Sequence, residues 1–194
     1  PPRRKKLCIY YFGNNAEISK MKTQDVLRDA FIKSAAAETF LSWQYYKSKN
    51  GGSKLEKELE SGIIPEDFKR QMFYTFGDYR DFLFGTDISK GHGKGSELEK
   101  QIYSLFPPNG EKASKLTCEQ WWNENGPKIW EAMLCALSYD TKERNFKKEV
   151  HIKLTENYTY ANVKFIGENT PNLSTFAEIP QFFRWLTEWR DDFC

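Results

Sequence analysis

Apolar residues recur at three- and four-residue intervals over most of the chain, the spacing of helices that bury one face. Residues 22–49 predict one long helix. Thr23 is placed to cap it, Val26, Leu27, Ala30, Phe31, Ala37, Phe40 and Leu41 form its stripe, and Asn50-Gly51-Gly52 stops it. The next stretch, GGSKLEKELESG, reads as a helical turn within a surface loop. Pro65 stands where a first helical residue should, with Glu66 and Asp67 at the positive end of the dipole. It opens a helix that carries Phe68, Met72, Phe76, Tyr79 and Leu83 on one side and closes at Gly85. KGHGKGS (90–96) is a glycine-rich loop, and ELEKQIYSLF a short amphipathic helix ended by Pro107-Pro108-Asn109-Gly110.

Thr117 and Gln120 fit a capping box at the start of a helix that holds Trp121, Trp122 and Trp130. Trp122, Ile129, Met133 and Ala136 share its stripe, and Trp130, Leu134 and Leu137 widen it. The apolar pattern carries across Gly126-Pro127, which predicts a kink and not a stop. Residues 141–157 predict a charged helix with Phe146, Val150 and Leu154 at four-residue spacing, and 158–176 is mostly loop, with a short extended piece at Val163 to Ile166. Pro180 opens a last helix whose inner face is Phe182, Trp185, Leu186 and Trp189. With no βαβ alternation, heptad run or internal repeat, the fold class is all-α, a bundle of long helices with elaborate loops.

Composition narrows the function. Aromatic residues make up 16% of the 194, enough to offset the entropy of ordering, so the chain is folded. The formal charge is only +2, from 29 basic and 27 acidic groups, which argues against a nucleic-acid binder. Acidic neighbours at Glu119 and Glu124 likewise make Trp121 and Trp122 a poor base-stacking platform, and core packing is the better role for Trp122 and Trp130. Trp121 is left open between core and contact surface. No apolar run approaches the roughly 20 residues of a membrane span, and PPRRKKLC lacks the apolar stretch of a signal peptide.

Catalytic signatures are missing. There is no phosphate-binding glycine loop after a strand, no HExxH and no GxSxG. Asp78, Asp81 and Asp87 in GDYRDFLFGTD are better read as a structural ion-pair network than as acid and base. Cys8, Cys118, Cys135 and Cys194 show no CxxC spacing, and His92 and His151 are far apart in sequence, so neither a metal nor a cofactor is expected. Buried cytosolic thiols and extracellular disulfides both fit the cysteines. The expectation is a protein that is not an enzyme.

Four stretches taken in order, PPRRKKLC, MFYTFGDYRDFLFGTDIS, WWNENGPKIWEAMLCALSY and PQFFRWLTEWRDDFC, are together similar to the Duffy-binding-like domains of the Plasmodium falciparum erythrocyte membrane protein 1 family. AAAETFLSWQYYKSKNG and the tryptophan helix resemble the beta subclass. The resemblance implies a helical, disulfide-bonded adhesion domain on the extracellular face of the infected red cell, part of a membrane-anchored parent. It implies residues 1–194 as one domain fragment, subdomains 1 and 2, with a third cysteine-rich subdomain absent. The partner it implies is a host receptor, intercellular adhesion molecule 1 foremost. The alternative partner is a glycosaminoglycan bound by Arg3, Arg4, Lys5 and Lys6.

Members of that family usually carry cysteine at the positions of Ser34 and Leu83, so one disulfide is expected to be missing. Cys135 is expected to pair with Cys194, since the tryptophan helix and the last helix should present tryptophans to the same core. Cys8 and Cys118 are left to pair with each other or stay free. The sequons Asn157-Tyr158-Thr159 and Asn172-Leu173-Ser174 place 158–176 at the surface.

Overall fold

The computed structural model describes residues 1–89, 95–106, 116–165 and 170–193, the side chains of 191–193 excepted. Eleven helices are present among them: α1 (Pro2–Lys6), α2 (Tyr10–Gly13), α3 (Asn15–Ile18), α4 (Gln24–Lys49), α5 (Gly52–Glu60), α6 (Glu66–Phe84), α7 (Glu97–Leu105), α8 (Cys118–Leu137), α9 (Lys148–Asn157), α10 (Leu173–Glu178) and α11 (Gln181–Phe193). The one sheet is a two-residue hairpin, β1 (Tyr139–Asp140) with β2 (Asn145–Phe146), antiparallel, Tyr139 facing Phe146. The all-α reading stands.

Three long helices make the core. In α4 and α6 the Phe31 and Tyr79 rings lie 6.2 Å apart and Trp43 and Phe68 5.0 Å apart, so the two run antiparallel. Against α8 the direction reverses: Trp121 Nε1 donates to the Gln24 carbonyl at one end, and Phe40 meets Tyr139 at the other, so α4 and α8 are parallel. α6 lies under both and is buried almost all round, including Phe73, Tyr74, Phe76 and Phe82. The rings interlock edge to face, Phe73 against Trp130 and Phe76 against both Trp122 and Trp130, a geometry that adds to burial.

Caps and stops follow the sequence. Thr23 accepts from the Val26 amide, and Thr117 and Gln120 form the capping box in full. Gly85 ends α6 in the left-handed conformation, at φ 64°. α8 runs unbroken through Pro127.

Three segments differ from the pattern. GGSKLEKELESG holds a nine-residue helix, α5, because Leu55 and Leu59 find the core. The helix expected over 141–157 starts only at Lys148. The Asp140 carboxylate accepts from the Lys142 and Glu143 amides and folds the chain into the hairpin, leaving Phe146 exposed. Residues 158–176 are more ordered than a loop: Lys164 bridges to Asn172, α10 begins at Leu173, and Phe165 stacks on Phe176 at 4.4 Å. Most of the KGHGKGS loop lies outside the described residues.

Candidate binding surface

Carboxylates from α6 and its exit gather guanidiniums from the two ends of the chain. Asp78 is fully buried and accepts from Arg3, from Gln181 Nε2 at 3.0 Å and from Trp185 Nε1 at 3.0 Å. Arg3 also holds Glu188, at 2.6 Å, and the Thr75 hydroxyl. Arg4 reaches Asp87 at 3.0 Å, and Arg184 pairs with Asp81 while its guanidinium caps the Ala177 and Ile179 carbonyls. The expected ion-pair network therefore exists, but Arg80 is outside it, lying over the Phe84 ring. Its cations come from Arg3, Arg4 and Arg184 instead.

Gly77 explains itself here. A Cβ added to it would stand 2.7 Å from Arg184 Nε and 2.9 Å from Cζ, and that guanidinium is fixed by four acceptor contacts. Gly77→Ala is expected to destabilise by about 1–3 kcal/mol, although alanine normally favours a helix. Urea unfolding checks this, and a stabilised variant would show that Arg184 is free to move.

The network also titrates. Burial raises the Asp81 carboxyl to about 6 against Arg184 and Thr86, and burial raises Glu188. Asp78 is lowered: burial opposes this, but Arg3, Arg4 and the Trp185 donor outweigh it. The Asp81 contribution to stability is therefore fully present below the ordinary carboxylate range and lost as pH rises through about 6, and that of Asp78 is lost in acid below about 4. Thermal midpoints should be higher at pH 5 than at pH 7.5 and fall again below pH 4. A midpoint that climbs steadily from pH 5 to 7.5 contradicts this.

The network turns α11 inside out. Its inner side is Gln181, Arg184 and Glu188, all buried, with Trp185 half-buried. Phe182, Phe183, Leu186 and Trp189, three of them expected inside, are each more than half exposed. α11 packs on α6.

Beside it a groove of about 810 Å³ runs between α1, α4, α6 and α11. Leu41, Tyr45 and Trp189 line it at 53%, 58% and 55% exposure, and Lys6 and Lys49 approach the Tyr45 ring face to 5.4 and 5.9 Å. Sequence reasoning missed it by placing Leu41 in the buried stripe. The stripe of α4 actually follows Leu27, Phe31, Ser34, Glu38 and Trp43.

The other expected site residues fall as follows. Arg3 and Arg4 are engaged in the network, and only Lys5 and Lys6 of the basic cluster are exposed. Cys8, Cys118 and Cys135 are free thiols. The Cys8–Cys118 bridge is not formed, for a geometric reason: the Cys8 amide donates to Glu38, whereas Cys118 begins α8 beside Gln24. Those two points are about 21 Å apart along α4, against the roughly 4.4–6.8 Å between Cα atoms that a bridge needs. Burial pushes the Cys118 thiol up to about 11. Cys135, expected on the inner face, is exposed, one turn past exposed Glu131, and Cys194 lies outside the described residues.

Ser34 and Leu83 are both buried, but Phe31 faces Tyr79, so Leu83 stands level with Leu27, about 10 Å along α4 from Ser34. A single bridge would not join them. Asn157 is exposed and donates to the Gly62 carbonyl, and half-buried Asn172 caps α10. Among the described residues no cluster of His, Cys, Asp or Glu could hold a metal ion, and no helix is long and apolar enough to cross a membrane.

The family model of the Duffy binding domain matches residues 1–184, all three long helices and the start of α11. The chain belongs to the Duffy binding domain family. It is 30% identical over 195 residues to the Duffy receptor of Plasmodium vivax (strain Salvador I), covering all of this chain and 15% of that protein. It is 25% identical over 193 residues to the Duffy receptor beta form of Plasmodium knowlesi, again covering the whole chain and 14% of the relative. The chain thus spans a small part of the relatives it matches. Homologues in this family are receptor-binding adhesion domains of Plasmodium, which fits a binding module and not an enzyme.

Proposed function

We propose that this chain is the first two subdomains of a Duffy-binding-like adhesion domain on the surface of the infected red cell, binding a host receptor in cytoadherence. Intercellular adhesion molecule 1 is the receptor we favour. The Duffy binding domain match over residues 1–184 carries the reading, and the beta-subclass resemblance supports the choice of receptor. The fold adds physical support: the chemistry-bearing carboxylates are consumed in holding helices together, and what is left to act is surface.

The glycosaminoglycan alternative is weakened, because Arg3 and Arg4 are committed to buried carboxylates and two lysines make a small electrostatic footprint. Surface plasmon resonance against immobilised receptor ectodomains, intercellular adhesion molecule 1 first, tests the proposal. Saturable binding that persists at about 0.3 M salt is expected. Binding only to heparin, lost over that salt range, would replace this reading with the alternative.

A further inference from the structure

The groove between α1, α4, α6 and α11 is unusual for what it leaves open. Leu41, Tyr45 and Trp189 come from two helices distant in sequence, yet all three point their apolar bodies into one depression and stay more than half exposed. Aromatic side chains of that size leave roughly 80–150 Å² each in water at such exposure. A second depression beside Leu186 and Trp189, about 400 Å³, continues the apolar strip along α11.

The charges at the groove are not balanced. Its carboxylates are already used: Glu38 accepts from the Cys8 amide and the Ser42 hydroxyl, Glu188 is held by Arg3, and Asp67 stands 3.5 Å from Arg70. The ammonium groups of Lys6 and Lys49 instead lie over the Tyr45 ring, with exposed Lys5 beside Lys6 in sequence, and each can turn to an incoming anion. Apolar anchor sites flanked by uncommitted lysines fit one kind of occupant.

We infer that this groove is the receptor contact of the chain, and that it takes an acidic segment of a partner protein. A bulky apolar side chain of that segment sits between Leu41, Tyr45 and Trp189, and its carboxylates meet Lys6 and Lys49. The volume, about 810 Å³, suits a few side chains of a peptide segment. Tyr and Trp at the centre with charges at the rim is the arrangement in which a few residues dominate affinity. The rigidity comes from below, since Arg3 and Glu188, which bound the groove, are locked in the buried network. This inference rests on the adhesion reading.

The test uses the whole chain against the same receptor ectodomains, intercellular adhesion molecule 1 first, with the fold of each variant checked by circular dichroism. Tyr45→Ala and Trp189→Ala are each expected to weaken binding by about 10–30-fold. The double charge reversal Lys6→Glu, Lys49→Glu should slow association by about 10-fold at low salt, with the difference shrinking at high salt. Tyr103→Ala, 63% exposed on α7, should change nothing. If the wild-type chain binds and the groove variants bind equally well, the inference is overturned and the adhesion reading stands. If only the lysine variant loses binding and heparin displaces the receptor, the occupant is a sulfated glycan, which also overturns it. A wild-type chain that binds no receptor overturns the adhesion reading and this inference together.

Discussion

Replacing Arg184 with alanine should cost about 3–5 kcal/mol, more than any substitution on the apolar side of the same helix. The guanidinium is 1% exposed and pairs with Asp81, itself 3% exposed, while covering two carbonyls that close α10. Removal leaves a carboxylate buried without its cation, and most domains have only about 5–15 kcal/mol to lose. Phe182→Ser and Leu186→Ser, by contrast, should each change stability by no more than roughly 0.5–1 kcal/mol, because both side chains already face water. The order inverts what hydrophobicity alone would suggest. Urea denaturation of the three variants decides it. The double variant Arg184→Ala, Asp81→Ala should recover part of the loss, since the orphaned charge is then gone. Equal losses for Arg184→Ala and Leu186→Ser would mean that α11 is held by its apolar side after all.

The helices were legible where a residue's neighbours in sequence are also its reasons. Thr23, Thr117 and Gln120 cap by local hydrogen bonds, Gly85 closes α6 through its own backbone, and α8 carries an apolar pattern dense enough to survive Pro127. The failures share one physical cause. α11 presents Gln181, Arg184 and Glu188 inward because their partners, Asp78, Asp81 and Arg3, are brought from more than 100 residues away. No periodicity within a helix records a carboxylate on another.

The same holds on α4, whose buried stripe includes Ser34, Glu38 and Thr39. Reading only the apolar positions rotates the helix and hides Leu41 and Tyr45, two residues of the groove. The basic cluster at the N-terminus was misread in the complementary way. Four cations in a row look like a surface patch, yet alternate burial sends Arg3 and Arg4 into the network and leaves Lys5 and Lys6 outside. The hairpin at 139–146 was hidden for a smaller reason: Phe146 keeps helical spacing with Val150 and Leu154 although its own backbone is extended.

Trp121 is the position where the sequence was undecided, and it yields the second large effect. In the structure it is 1% exposed, its ring 5.5 Å from Phe31 and 6.2 Å from Phe106, with Nε1 donating to the Gln24 carbonyl at 3.2 Å. It fills the end of the core where α4 and α8 begin side by side. Trp121→Ala should therefore cost about 3–5 kcal/mol through lost burial and the cavity left behind. For a chain of this size each kcal/mol moves the thermal midpoint by roughly 2–4 °C, so a fall on the order of 10 °C is expected. Trp121→Phe keeps the ring packing against Phe31 and loses the hydrogen bond, so it should retain more than half of that stability. Differential scanning calorimetry separates the two roles: a contact tryptophan would lose receptor binding at an unchanged midpoint, whereas a core tryptophan lowers the midpoint first, and that is the outcome expected.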